Sequence, residues 1–388
     1  MRLRYCITGF VFFYVSIIGA VAQEANEVTL NMAVEEFNTG HFTGVPELLS
    51  PYLNTKQSRE WRQRAYLLLT QTYLLLEDPI AAKNSYLKVL EANPEYVPNP
   101  ALDPTDLVYF GSKFTTAPVF SIFTYGGANT SQVRVIRNNS AVTSDLDKDP
   151  IKIKYAQRVG YQFGLGAEWH YDENLSLNAE LNYIHTAFKK TTSKAFKQDV
   201  VEVIDRQNWL RLPISIKFSD HVGKYRPYGY IGLSLDYLVN DNGAFTTINN
   251  DSLKSDSAPI NSQRVESSKQ NFTPRRYRFN NSFFVGGGLK YKVGFNYVFV
   301  DVRYSLGMRN IVSKEDFYYR YDNGSMTSDE FLETGNSTFD FGHVDDFFRM
   351  NNIVLSIGFV HPLYKPRELK HGKSKSILKK IKKQDEKL

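Results

Sequence analysis

A histidine close to a carboxylate is the first pattern to weigh in this chain, because a carboxylate-oriented imidazole can activate water or a hydroxyl. His343, Asp345 and Asp346 stand together in HVDD, a spacing that suits attack of water on a peptide bond. Such a reaction needs further acids from facing elements, and spacing identifies none. His185 is a second candidate base, suited to hydrolysis of an acylated lipid, but no serine partner can be assigned to it. His221 falls in a short turn and suggests no chemistry. The seven histidines are scattered and Cys6 is the only cysteine, so no metal-ligand spacing occurs. Gly286-Gly287-Gly288 lies inside an alternating stretch and reads as a bend or close-packing site, not a phosphate loop. The expectation is therefore no catalytic residue, no cofactor and no metal.

The elements that must position these residues are strands. Between 155 and 190, Val159, Tyr161, Phe163, Leu165, Ala167, Trp169 and Tyr171 alternate with Arg158, Gly160, Gln162, Gly164, Gly166, Glu168 and His170. After Asp172-Glu173-Asn174, Leu175, Leu177, Ala179, Leu181 and Tyr183 alternate with Ser176, Asn178, Glu180 and Asn182. Period two puts each set on its own face of a strand. One face is oily and the other carries glycine, amides and charge, as in a transmembrane β-barrel. Continuing the polar face through the later strands gives a nearly charge-balanced lumen network of Arg158, Glu168, Glu180, Arg211, Lys217, Asp236, Lys290, Asp301 and Arg303.

Eight strand-like stretches follow Pro118, at 118–130, 155–171, 175–190, 207–219, 226–240, 277–293, 296–311 and 347–361. Their connections alternate between tight (172–174, 220–225, 294–295) and long and polar (131–154, 191–206, 241–276, 312–346). Short periplasmic turns alternating with longer outer loops are the habit of outer-membrane barrels. Eight strands leave room inside for side chains and not for an aqueous pore, so a salt-bridged plug is expected. A soluble barrel around an apolar ligand would invert the faces, and strand length and loop asymmetry argue against it.

Residues 1–22 read as a secretory signal peptide, with Arg2 and Arg4, an apolar stretch and Ala20-Val21-Ala22 before Gln23. Mean hydropathy is −0.38, which hides a membrane face carried in alternation. The formal charge is +6, or +4 without Arg2 and Arg4; residues 365–388 carry ten Lys/Arg against three acids, so the rest is about −3. The pI near 9.0 thus belongs to the basic tail and does not argue for nucleic acid.

Residues 23–94 are helical. Tyr66, Leu69, Tyr73, Ala82, Tyr86 and Pro94 stand at the spacing of a tetratricopeptide repeat, with Thr70 in place of the usual small residue. A looser first unit holds Ala33, Phe37, Gly40, Phe42, Val45 and Leu49. Tyr66, Tyr73 and Tyr86 are the candidate partner-docking residues, although a purely structural pair of α-hairpins would carry the same spacing. A Pro-rich connector, 95–117, follows, with an N-cap and first helical turn expected at Asp103-Pro104-Thr105-Asp106. The barrel is expected over 118–364 and a basic tail over 365–388. The fold class is therefore mainly β: an eight-stranded antiparallel transmembrane β-barrel preceded by a small α-helical periplasmic domain.

The signal peptide, the eight strands, LRLPISIKF (210–218), RPYGYIGLSLDYLV (226–239) and FFVGGGLKYKV (283–293) resemble the PorT-like outer-membrane β-barrel family of Bacteroidota. The resemblance covers about residues 118–361 and implies an architecture, with no catalytic residues. It departs from ordinary barrels at its end, where Phe359 is followed by His361-Pro362 and the basic tail. Two functions are expected to compete. The favoured one is a non-catalytic anchor or scaffold in the outer membrane of a Gram-negative bacterium. It would contact outer-membrane lipid, keep helices and tail in the periplasm and dock a periplasmic or outer-membrane protein partner within a secretion or envelope-assembly complex. The alternative is a barrel enzyme at the outer face, a lipid A deacylase-like protein using His185 or a rim protease using His343.

Overall fold

The computed structural model describes residues 27–53, 57–138, 152–193, 200–249, 263–266, 269–313 and 345–369. The expected signal peptide, His343 and most of the basic tail lie outside them. The chain divides into two compact units, one comprising residues 1–118 and 364–388 and the other 119–363.

The second unit is built from eight long strands: β1 (Phe120–Arg137), β2 (Lys152–His170), β3 (Leu175–Ser193), β4 (Val200–Ser219), β5 (Tyr225–Asn249), β6 (Phe279–Val293), β7 (Asn296–Gly307) and β8 (Phe347–Leu363). Every neighbouring pair is antiparallel, in the order β4-β3-β2-β1-β8-β7-β6-β5, and β5 pairs back onto β4. The ring is closed, so the wall has no free edge strand, as a membrane-spanning sheet requires. Two short strands, Gln263–Glu266 and Gln270–Asn271, add to the far end of β5.

The three short connections lie at one end. Two of them reverse through a glycine with left-handed φ, Gly223 at 62° and Gly294 at 61°, a backbone that side chains resist. Phe120 faces Leu363, so the chain enters and leaves the barrel at this same end. At the other end the strands run further than polarity alone suggests. Residues 131–137, 200–206 and 241–249, read above as loop, are strand. Period two persists there, with Val201 and Val203 buried and Glu202 outside; polar outward residues merely disguise it.

Outward rows such as Leu210, Leu212, Ile214, Ile216 and Phe218 are exposed, whereas Arg211, Ser215 and Lys217 between them are buried. Three irregularities break this parity: between Arg158 and Tyr161, between Asn208 and Trp209, and between Phe347 and Phe348. Each adds a residue to one strand and turns everything beyond it to the other face.

Among its described residues the first unit packs five helices: α1 (27–38), α2 (Gly44–Leu53), α3 (Arg59–Leu75), α4 (Pro79–Ala92) and α5 (Thr105–Gly111). Ser58 caps α3 by accepting from Trp61 N, and Asp78 caps α4 by accepting from Ile80 N and Ala81 N. The expected cap at Asp103 does not form. Helix α5 starts after Pro104 without a side-chain cap, and Asp103 instead accepts from Asn99 N at 2.7 Å. Leu30, Ala33, Val45, Leu49, Trp61, Ala65 and Leu69 form one core; Ala82, Tyr86, Leu90, Leu107, Phe110 and Phe114 form another. The chain leaving β8 returns to this unit. Arg367 and Glu368 pair with Thr115 and Phe114, and Lys83 Nζ reaches Glu368 Oε2 at 2.6 Å.

Candidate functional site: the filled barrel interior

From the short-connection end upward, the inward faces first deliver a polar network. Lys290 Nζ donates to Glu168 Oε2 at 2.7 Å, while Lys217 Nζ lies 3.5 Å from Glu168 Oε1. Arg303 Nη2 holds Glu180 at 2.8 Å, and Tyr125 Oη donates to the same carboxylate at 2.7 Å. Tyr230 and Tyr228 donate to Asp301 at 2.6 and 3.1 Å. Arg211 and Asp236 stand 3.6 Å apart, and Ser282 Oγ adds a bond to Asp236. Four carboxylates thus meet four cations, all buried, which is the condition for burying charge without a large desolvation deficit.

The glycines make this network possible. A Cβ on Gly286 would stand 2.4 Å from Tyr230 Oη, and one on Gly288 2.6 Å from Tyr228 Oη. Both rings therefore lie flat along β6 and aim their hydroxyls at Asp301. The Gly286-Gly287-Gly288 run is a close-packing site for tyrosine.

The sequence-derived set is brought together apart from Arg158. Glu168, Glu180, Arg211, Lys217, Asp236, Lys290, Asp301 and Arg303 are all buried. Arg158 is exposed, because the irregularity before Tyr161 places it opposite Ala187, on the outward side shared by Tyr161 and His185. That assignment is corrected. Among the candidate docking tyrosines, Tyr86 needs correction: it is 1% exposed in the helical core and leaves no free docking side chain. Tyr66 and Tyr73 pack against the core from its margin and stay half-exposed.

Above the polar network sits an apolar layer of Ile184, Phe188, Trp209, Leu238, Phe348 and Met350. Beyond it lies an ion cluster that the strand alternation did not reveal. Arg276, between β5 and β6, donates from Nε to Asp241 Oδ2 at 2.7 Å and from Nη2 to Asp345 and Asp205 at 3.1 and 3.3 Å. Burial opposes its charge, yet Asp345, Asp241 and Asp205 hold its pKa above the ordinary arginine value. Lys190 Nζ contacts Asp346 at 2.7 Å, and Tyr155 Oη donates to the same carboxylate. Period two through Val201, Val203 and Asp205 was the available signal for this cluster; Arg276 lies outside any alternation and had none.

Small cavities of about 20, 10 and 10 Å³ remain in the interior, each of a size for about one water. His185 lies on the outside, stacked on Tyr161 at 4.9 Å, with Nδ1 2.6 Å from Asn208 Oδ1. No group of three metal-binding side chains occurs among the described residues.

Solved outer-membrane barrels are similar in fold. OprG from Pseudomonas aeruginosa is 12% identical, with 64% of this chain and 98% of that one covered and a TM-score of 0.28. The outer membrane protease OmpT from Escherichia coli is 11% identical over 64% and 98%, at 0.28. Neisserial surface protein A is 9% identical over 63% and 97%, at 0.27. No curated protein sequence matches. Residues 119–313 match the outer membrane protein beta-barrel domain, half of the chain and seven of its eight barrel strands; with the closed ring and its apolar outward face, this chain belongs to that family of the outer membrane.

Proposed function

We propose that the protein is a non-catalytic outer-membrane anchor whose helical unit docks a protein partner, within a secretion or envelope-assembly complex. The observation that carries this reading is the interior: a charge-balanced network, an apolar layer and an ion cluster fill it, with cavities of about 20, 10 and 10 Å³ among the described residues, while the flanking residues build a second unit with its own cores. The short-connection end, where the chain enters and leaves, is taken to face the periplasm. We read the chain further as a PorT-like barrel of Bacteroidota with tetratricopeptide-like hairpins. Among the described residues on which an enzymatic reading would draw, Asp345 binds Arg276, Asp346 binds Lys190 and His185 binds Asn208.

With Tyr86 in the core, docking falls to exposed apolar side chains of the helical unit, among them Leu76 and Ile80 around the α3–α4 turn. The test is gentle crosslinking of tagged full-length protein in cells, followed by purification from detergent. The Leu76→Asp and Ile80→Asp double variant should lose the crosslinked partner and keep a barrel whose gel mobility still shifts on heating. Identical crosslinking by both proteins, or none by the unaltered one, would refute the docking role.

A further inference from the structure

Six consecutive residues at the α3–α4 turn, 75–80, are exposed. Three of them are large and apolar: Leu75 is 53% exposed, Leu76 40% and Ile80 73%. Glu77 and Asp78 stand between them. Asp78 commits Oδ1 to the cap of α4, and Glu77 takes a left-handed φ of 57° as the chain reverses. The surface at this corner is therefore oily and acidic together. What it suits is a segment that offers apolar side chains flanked by cations.

The chain brings such a segment to the same corner. Lys83 follows Ile80 by three residues, one turn along the same face of α4, and its Nζ holds Glu368 Oε2 at 2.6 Å. Leu369 N donates to Lys113 O at 2.7 Å, so the returning chain is fixed to the helical unit up to that residue. Residues 370–383 follow, with seven lysines and no acid, and with Ile377, Leu378 and Ile381 as their large apolar side chains. Positions i, i+1 and i+4 share one face of a helical turn. From Glu368 to Ile377 is nine residues, a reach of up to about 30 Å. Ile80 lies only on the order of 10 Å from the Glu368 carboxylate, one helical turn plus a lysine stem away. A tether this short holds a segment at about millimolar effective concentration, so a modest surface is filled from within the chain before a dilute partner reaches it.

We propose that residues 377–383 of this chain dock on its 75–80 patch, and that a protein partner engages the helical unit by displacing them. Ile377, Leu378 and Ile381 cover Leu76 and Ile80, and the flanking lysines meet Glu77 and Asp78. The inference rests on the docking reading for the role of the patch and adds its regulation: in the free protein the patch is closed by the tail.

The test uses full-length protein in detergent carrying Asn84→Cys, exposed one turn beyond Ile80 on α4, and Ser376→Cys. At high dilution a disulfide should form within one chain, identified as the linked peptide by mass spectrometry. It should form at least about tenfold faster than in protein that also carries Ile377→Asp, Leu378→Asp and Ile381→Asp, where only the bare tether acts. Glu77→Lys, an exposed change outside both helical cores, should slow it as well. A rate unmoved by the three aspartates would overturn the tail contact. In cells the same three aspartates should raise the yield of crosslinked partner, and an unchanged yield would overturn displacement. Patch-dependent disulfide formation with no partner captured by either protein would refute the docking reading, and displacement with it, while the tail contact stands.

Discussion

The two halves of the barrel interior are closed by different means. Toward the short connections, strands alone supply the lining, in which Glu168, Glu180, Asp236 and Asp301 are matched by Arg211, Lys217, Lys290 and Arg303 and packed among Phe123, Phe284, Phe299 and Val360. Toward the long connections the interior turns apolar, and residues outside the barrel strands complete it: Phe272, Arg276, Ile311, Val312, Asp345 and Asp346. Four carboxylates there, Asp205, Asp241, Asp345 and Asp346, share two cations, Arg276 and Lys190. One half is thus a property of the wall. The other depends on connecting segments staying pinned, and a single guanidinium does most of the pinning.

Arg276→Met is accordingly the change that should separate the halves most sharply. It removes the cation shared by Asp205, Asp241 and Asp345 and leaves Asp241 with the neutral Gln207 Nε2 as donor. Removing one partner of a buried ion pair costs about 3–5 kcal/mol, and a hub facing three acids should reach the top of that range. Urea unfolding from vesicles gives the total. Hydrogen exchange locates the loss, which should fall on the far ends of β4 and β5 and spare the turns beside Gly223 and Gly294. Equal loss of protection at both ends would show that the halves are one cooperative block.

The same division explains what could be read from the amino acids alone. Ser176, Asn178, Glu180 and Asn182 against Leu175, Leu177, Ala179 and Leu181 give a face assignment directly, because the polar face can only be the lumen when the other is in lipid. The eight strands and the closed ring followed from such stretches. Beyond Arg158, Val239 and Phe347, an extra residue flips the parity, so extrapolated alternation put Arg158 inside and gave no hint that Tyr155 points inward to Asp346. Farther out the outward residues are polar and the inward ones apolar, which looks like loop until the partners are seen. In the helical unit Tyr86 was legible as part of a repeat-like spacing, but that spacing records burial, and a docking surface leaves no such trace.

The polar half should respond to paired changes in a way the far half should not. Arg303→Met leaves Glu180 with Tyr125 as its remaining described donor and should cost about 3 kcal/mol. Glu180→Gln strands the guanidinium, which keeps Tyr230 as acceptor, and should cost a similar amount. Combined, they should cost less than either alone, since a buried ion pair replaced as a unit sheds its desolvation deficit with its attraction. The double-mutant cycle is read from urea midpoints in vesicles. Strict additivity would mean that the two side chains are not a unit, and the strand-built half would lose its claim to internal balance.

The smallest test compares one side chain from each half and turns on sign. Ile184 is 1% exposed in the apolar layer, so Ile184→Val removes one methyl group from packed surroundings and should cost about 0.5–1.5 kcal/mol. Ser215 is 2% exposed on the polar side, and its hydroxyl has no hydrogen-bond partner among the described residues. Burying an unsatisfied hydroxyl costs about 1–3 kcal/mol, so Ser215→Ala removes a penalty together with the oxygen and should leave stability unchanged or raised. Both variants keep the charge balance and the wall intact, which makes their urea midpoints directly comparable. A loss at Ser215 as large as that at Ile184 would mean that the hydroxyl is satisfied by a water in the adjoining interior, and that the polar half is solvated where its side-chain packing leaves it bare.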